Sequence, residues 1–251
     1  MVLYLIGLGL GNEKDITVNG LEAVKKAEIV YIESYTSLLQ CSQLDLERFY
    51  RKKILVAQRM DVEEEQNKII EEAKNKTVAL LVVGDPMSAT THIDLLFRAK
   101  KEKIECNVIH NTSILTAIGI VGLQLYKFGK TTSIPFPQDN FKPETCYDVL
   151  RVNKKNGMHT LLLFDLKHEE NKYMDVNHAL KYLLEIEQKK KQKVIAEKTL
   201  VIGCARIGSD NFIKVGTIKE LISVDFGKAP HCLIIPAKMH FMEEEALKMW
   251  K

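Results

Sequence analysis

Nowhere in these 251 residues does an apolar run approach the roughly 18 residues that a bilayer-spanning helix needs, so no transmembrane segment is expected. Cysteine is scarce. The five present (Cys41, Cys106, Cys146, Cys204 and Cys232) are odd in number, scattered and never spaced C-x-x-C. That argues against a disulfide framework or a zinc site and for reduced thiols in a cytoplasmic protein. H-E-x-x-H and Cys/His clusters are missing, so no metal is expected. Met1 to Ile6 lacks the basic start of a secretory leader and runs into glycines, so it reads as a first strand. Repeats and low-complexity tails are also missing. The formal charge of +3 is too small to signal nucleic acid. The one dense basic run, Lys189-Lys190-Lys191-Gln192-Lys193, reads as the solvated end of an amphipathic helix.

What is present is an ordinary globular composition, 46% hydrophobic and 27% charged, long enough for one large domain or two small ones. Strand and helix patterns alternate over residues 1–112. Strands are expected at Leu3 to Ile6, Ile29 to Ile32, Ile54 to Val56, Val78 to Val83 and Asn107 to Ile109. Helices are expected after Thr17, from about Glu63 to Lys74 and from about Ile93 to Lys101. This alternation implies βαβ units and a mainly parallel sheet. A polar Asn111-Thr112-Ser113 opens an apolar segment, Ile114 to Leu125, that reads as a buried helix. Prolines at 135, 137 and 143 mark a connection. Beyond it come strands at Thr160 to Phe164, Leu200 to Gly203, near Val215 and at Cys232 to Ile235, with helices from Val176 to Glu187 and from Glu243. The expected fold is therefore α/β in two lobes, an N-terminal lobe over 1–112 and a mixed α/β C-terminal lobe over 113–251.

The most informative stretch is Leu80 to His92, L-L-V-V-G-D-P-M-S-A-T-T-H. A buried strand ends abruptly in Gly84-Asp85-Pro86, as strands do where open α/β sheets bind ligands. Gly84 lets backbone approach a ligand, Asp85 offers a carboxylate acceptor and Pro86 stiffens the turn. A plain strand-to-helix turn would explain the glycine and proline as well. Gly7-x-Gly9-x-x-Asn12 after the first strand, with Glu33 ending the second, imitates a dinucleotide fingerprint. Asn12 replaces the packing glycine, however, and Glu13-Lys14-Asp15 separate the loop from the helix, so a pyrophosphate would not meet a helix N-terminus. The loop reads instead as a flexible rim admitting a substrate.

Further segments narrow the reading. They are Y-L-I-G-L-G-L-G-N (Tyr4 to Asn12), E-S-Y-T-S (Glu33 to Ser37), V-I-H-N-T-S-I (Val108 to Ile114) and G-L-Q-L-Y-K-F-G (Gly122 to Gly129). N-G-M-H-T-L (Asn156 to Leu161), A-R-I-G-S (Ala205 to Ser209) and D-F-G-K-A-P-H (Asp225 to His231) follow in order. With Val82 to His92 they resemble the diphthine synthases, methyltransferases of the tetrapyrrole methylase superfamily. The resemblance implies a homodimer of two-lobed subunits with S-adenosylmethionine held in a cleft between the lobes and S-adenosylhomocysteine as product. It implies as substrate elongation factor 2 carrying a 3-amino-3-carboxypropyl group on one histidine, whose amine is methylated during diphthamide biosynthesis. Cofactor contacts would fall on Leu10, Asp85, Ser88, Ser113, Ile114, Phe164, Ile207 and His231.

Methyl transfer from a sulfonium needs a neutral amine and alignment. An α-amino group has a reference pKa of about 7.7–8.0, so a useful fraction is neutral at pH 7 and no strong general base is required. Placement and desolvation would carry catalysis, with no residue assigned as catalyst. Asp85 and Ser113 would anchor polar groups, while Leu10, Ile114, Phe164 and Ile207 form an apolar wall. Tyr35 is a candidate face for a quaternary ammonium, or simply a tyrosine packed at a strand end. His92 and His159 read as structural residues. Two rival functions share the cofactor: a corrin or porphyrin-precursor methyltransferase, against which the N-terminal loop lacks basic side chains, and a non-catalytic S-adenosylmethionine-binding module. A nicotinamide oxidoreductase is the remaining alternative.

Overall fold

A computed structural model of the chain describes all residues except 34, 36, 64–67 and 139–141, and the side chains of 63 and 169. The chain divides into two units, Met1–Ala117 and Ile118–Lys251. The first runs β1 (Val2–Gly7), α1 (Val18–Lys26), β2 (Ile29–Glu33), α2 (Gln43–Tyr50), β3 (Leu55–Ala57) and α3 (Arg59–Glu63). It continues with α4 (Lys68–Ala73), β4 (Val78–Val82), α5 (Ile93–Lys101), β5 (Glu105–Ile109) and α6 (Ile114–Ala117). Its five strands pair in the order β3-β2-β4-β1-β5, all parallel. Side-chain alternation sorts the strand residues onto two faces. Leu3, Leu5, Tyr31 and Leu80 pack with Val62, Ile69, Ile70, Leu95 and Ala99 from α3, α4 and α5. Ile6, Val30, Ile32, Ala79 and Leu81 pack with Ala23, Val24, Leu46 and Tyr50 from α1 and α2. A sheet covered on both faces explains why its strands read as continuous apolar runs.

This order fixes where a ligand can go. The chain leaving β1 crosses beside β4 toward β2, and the chain leaving β4 crosses beside β1 toward β5. The outgoing segments diverge over opposite faces at the carboxyl ends of β1 and β4. That is the switch-point crevice of an open α/β sheet.

The second unit holds β6 (Thr132–Ile134), α7 (Thr145–Lys155), β7 (Thr160–Phe164), β8 (Leu166–Lys167), β9 (Lys172–Tyr173) and α8 (Val176–Lys190). After these come β10 (Leu200–Ala205), β11 (Phe212–Thr217), α9 (Ile218–Leu221), β12 (His231–Ile235) and α10 (Phe241–Leu247). Its main sheet, β11-β10-β12-β7-β6, is antiparallel except for the β6–β7 pair. Leu162, Phe164, Val201 and Leu233 on one face pack against Tyr147 and Leu150 of α7 and Leu180 and Leu183 of α8. The α/β class with a parallel first sheet and a mixed second unit is therefore as expected.

One expected helix differs, and another falls partly outside the described residues: of Glu63 to Lys74, the part described beyond residues 64–67 is α4, helical over Lys68–Ala73. The buried helix over Ile114 to Leu125 is a single α turn followed by 3₁₀ turns at Ile118–Val121 and Leu125–Lys127, with Ile120 and Leu125 exposed. Gly122 ends it. Its φ of +92° is left-handed, and a Cβ there would lie 2.4 Å from the Ala246 Cβ of α10, so only glycine fits. Several helices were not foreseen, among them the short α9, which opens on a Thr217–Glu220 capping box. Ser42 and Asp45 form a capping box for α2, an S-x-x-D signal readable in the sequence. In α7, Cys146, Tyr147 and Leu150 supply the buried face.

Candidate functional site

The carboxyl ends of β1, β4 and β5 are stitched into one platform. Gly9 and Gly84 exchange backbone hydrogen bonds, the Gly9 N–H donating at 3.1 Å and the Gly84 N–H at 2.7 Å. The Leu8 N–H donates to the Val82 carbonyl, and Gly11 N–H donates to the Asp15 carboxylate at 2.7 Å. The Asn111 side chain donates to the carbonyls of Gly7 and Asp15. At Gly7 a Cβ would stand 2.7 Å from both the Asn111 Cβ and the Gly84 oxygen, so the bare backbone is what lets the three exits converge. The glycine loop is thus a pinned floor, not the flexible rim expected, because its polar backbone groups are spent on neighbouring strands. Helix α1 opens only at Val18, capped by Thr17, after a 3₁₀ turn over Glu13–Asp15. This separation leaves the loop without the helix N-terminus a dinucleotide site requires.

Asp85 lies at the centre of the platform, 6% exposed. One carboxylate oxygen accepts the Met87 N–H at 2.8 Å and the Ser88 hydroxyl at 3.2 Å. The other accepts the Asn111 N–H at 3.1 Å and meets His110 Nδ1 at 2.8 Å. These contacts take up the roughly four acceptor positions of a carboxylate. Burial alone would raise the Asp85 pKa; the Met87 and Asn111 amides and His110 outweigh it and hold the group below the usual carboxylate range. Leu10 lies over Gly84, with Cδ2 3.6 Å from where a Cβ would stand. Ser113 is buried, and its hydroxyl accepts the Leu115 N–H at 3.1 Å, capping α6 just ahead of Ile114. Leu10, Asp85, Ser88, Ser113 and Ile114 therefore surround one edge of the first unit.

In the second unit the remaining three sit together at one end of the sheet. Cys232 pairs with Leu163 and His231 with Ala205, so Phe164, His231 and the Ala205–Ile207 turn are neighbours. Arg206 is in the left-handed region at φ +53° and donates from Nη1 to the carbonyls of Phe226 and Lys228. That ties the A-R-I-G-S and D-F-G-K-A-P-H segments to each other. His231, 7% exposed, has Nε2 3.1 Å and 3.0 Å from the Gly227 and Lys228 carbonyls. Carbonyls only accept, so Nε2 carries the proton and Nδ1 is a buried acceptor with no hydrogen-bond partner among the described residues. Burial lowers the His231 pKa and keeps the ring neutral.

Other singled-out residues have structural employment. His159 is fully buried, donating from Nε2 toward Glu243 at 3.1 Å while Nδ1 accepts the Ala237 N–H at 3.0 Å. Glu243 also accepts from Gln124, His240 and Lys127. His92 is buried beside Thr90, Pro86 and Glu33. The Tyr35 ring already carries the Arg59 guanidinium at 5.4 Å, so a cation occupies the face once considered for an ammonium. Cys204 faces Cys232 across β10 and β12, and its thiol pKa is raised by that contact and by burial, which removes nucleophilicity. Sequence reasoning missed His110 and Arg206. Each lay inside a recognised segment, but only the fold shows what its side chain holds.

Among the described residues no group of His, Cys, Asp or Glu could hold a metal. A parallel sheet with a switch-point platform in the first unit, and a mixed sheet with an unmet buried acceptor at one end in the second, define a two-unit α/β protein. The chain belongs to the tetrapyrrole (corrin/porphyrin) methylases, whose family model matches residues 2–222. It is 50% identical to the diphthine synthase of Methanocaldococcus jannaschii, over 98% of each chain. It is 46% identical to the diphthine methyl ester synthase of Dictyostelium discoideum, over all of this chain and 98% of that one. A solved diphthine synthase crystal structure superposes with a TM-score of 0.90 at 37% identity, covering 100% of this chain and 96% of that one.

Proposed function

We propose that this protein is an S-adenosylmethionine-dependent methyltransferase of diphthamide biosynthesis. It methylates the amine of the 3-amino-3-carboxypropyl-histidine on elongation factor 2. The observation that carries this reading is end-to-end similarity at 46–50% identity to relatives named for diphthine synthesis, from an archaeon and a eukaryote. The site residues fit the cofactor on their own chemistry. His231 Nδ1 is an acceptor buried without a donor, and a nucleoside amine or ribose hydroxyl would supply one. Leu10 and Ile114 in the first unit, and Phe164 and Ile207 in the second, are the apolar positions that the family resemblance assigns to cofactor contact. Asp85 acts by fixing the Met87–Ser88 and His110–Asn111 segments, and Ser113 fixes the start of α6. When bound, the sulfonium supplies an electrophilic methyl carbon; the chain supplies orientation, which is worth up to about 7–11 kcal/mol in well-aligned reactions.

The protein works as a cytoplasmic homodimer in this reading. Five free cysteines support a reducing compartment. Leu55 and Val56, exposed on the edge strand β3, support a covered edge in the assembled enzyme. No described helix is long and apolar enough to cross a membrane. The direct test mixes the protein with S-adenosylmethionine and unmethylated elongation factor 2, with a porphyrin precursor in a parallel reaction. Stoichiometric release of S-adenosylhomocysteine with the protein substrate alone is expected. Turnover of the macrocycle alone would overturn the substrate assignment.

A further inference from the structure

The geometry points to His110 as the proton acceptor that keeps the substrate amine neutral, with Asp85 as the residue that positions it; this deepens the function proposed above and rests on it. The two residues form an oriented pair at the ligand edge of the parallel sheet, Nδ1 to carboxylate at 2.8 Å. Asp85 is only 6% exposed while the His110 side chain is 67% exposed. The carboxylate can only accept, so Nδ1 carries the hydrogen and the Nε2 lone pair is left to face outward. The carboxylate is itself immobilised by the Met87 and Asn111 amides, so the ring is aimed by a fixed group. This is a base oriented by a third group, the arrangement expected of general-base catalysis. Gly7 makes the pair possible, since β1 lies between β4 and β5 and only its bare backbone lets Gly84 and Asn111 close over it. Other titratable groups on the segments packed there include Asp15, which approaches Asn111 and Gly9, and His92, buried against the Pro86 carbonyl.

Repeated methylation makes a recyclable base useful. Each transfer to an ammonium needs one proton removed first. The N–H bond breaks, the proton moves to Nε2, the nitrogen keeps the electron pair, and nothing is oxidised or reduced. The resulting imidazolium hands its proton to bulk water through its exposed edge. Glu33–His92 and His159–Glu243, by contrast, are histidine–carboxylate pairs with both members buried, so neither has such an exit. Methylating a carboxylate, by contrast, requires no deprotonation, so ester formation would bypass His110.

Two measurements test this on the full-length protein. The first compares wild type with His110→Gln between pH 6.5 and 9.5, counting methyl increments on unmethylated elongation factor 2 by mass. An α-amine of pKa about 7.7–8.0 is only about a tenth neutral at pH 7. The variant should therefore add methyls to nitrogen about tenfold more slowly there and converge with wild type above pH 9. The second is nitrogen-correlated NMR of the histidine rings in the free protein, which should show His110 as the Nδ1–H tautomer at pH 8. Equal rates at pH 7, a deficit unchanged across the pH range, or an Nε2–H ring would each overturn the assignment. A wild type that adds no methyl at all overturns the methyltransferase reading and this inference with it. A working wild type beside an unaffected variant overturns the base alone.

Discussion

Asp85 and Glu243 show how single carboxylates hold this protein together. Asp85→Ala removes acceptors from two partly buried amides, where an unmet group costs up to about 1–3 kcal/mol when fully buried. Part of that loss is recovered as the loop relaxes. The variant should stay folded and bind S-adenosylhomocysteine at least tenfold more weakly by calorimetry; unchanged affinity would remove Asp85 from the site. In the second unit, the ion pair with Lys127 and hydrogen bonds from the Gln124 and His240 amides and His159 overcome burial and hold Glu243 down to about 2. Burial, outweighing its bond to Glu243, keeps His159 neutral below its ordinary 6.5. A carboxyl depressed from 4.5 contributes stability above that pH and loses it as the pH falls toward 2. A depressed histidine loses its share as the pH drops below 6.5. Both signs agree, so stability should decline on acidification from about pH 6.5, and Glu243→Gln should flatten the acid part of that curve. The same variant should cost about 3 kcal/mol and lower Tm by roughly 6–12 °C, since it strands Lys127 and His159.

Elements divide into those whose sequence speaks for itself and those decided by tertiary neighbours. The strands of the first sheet were readable from their apolar runs, which are continuous where both faces are buried, as in β4, and broken at the edges, where β3 exposes Leu55 and Val56 and β5 carries Glu105 and Asn107. The turn at Gly84-Asp85-Pro86 was equally plain. Helix α6 was overread, because the apolar run past Ala117 looks helical until Ala246 of α10 is seen to occupy the space beside Gly122. No local pattern reports a contact 124 residues away. Likewise Gly7 and Gly9 looked like a loop designed to move, and their immobility depends on Asn111 and Gly84, which are distant in sequence. Gly7→Ala should push the β4 and β5 exits apart, lowering thermal stability and cofactor affinity together. A variant that retains both would show that the convergence is dispensable.

At the scale of the whole molecule, family-level segments carried more than composition did. Eight motifs in chain order indicated a methyltransferase, while the charge and cysteine content only excluded other classes. Seven of the eight proposed site positions lie inside those motifs, Phe164 being the exception, and five fall in the first unit and three at one end of the second unit's sheet. Their partners were not legible. That Asp85 spends its lone pairs within the chain, or that His231 leaves one nitrogen unmet, follows from geometry alone. The proposed homodimer can be examined by size exclusion with light scattering, where twice the 28.6 kDa chain mass is expected and a clean monomer would contradict it.

One measurement bears most directly on the central claim. Intact-mass analysis of elongation factor 2 bearing the unmethylated aminocarboxypropyl group, taken before and after incubation with this protein and S-adenosylmethionine, should show successive one-methyl steps on the modified histidine. A factor whose mass does not change, beside a protein that is folded and binds S-adenosylhomocysteine, would contradict the account.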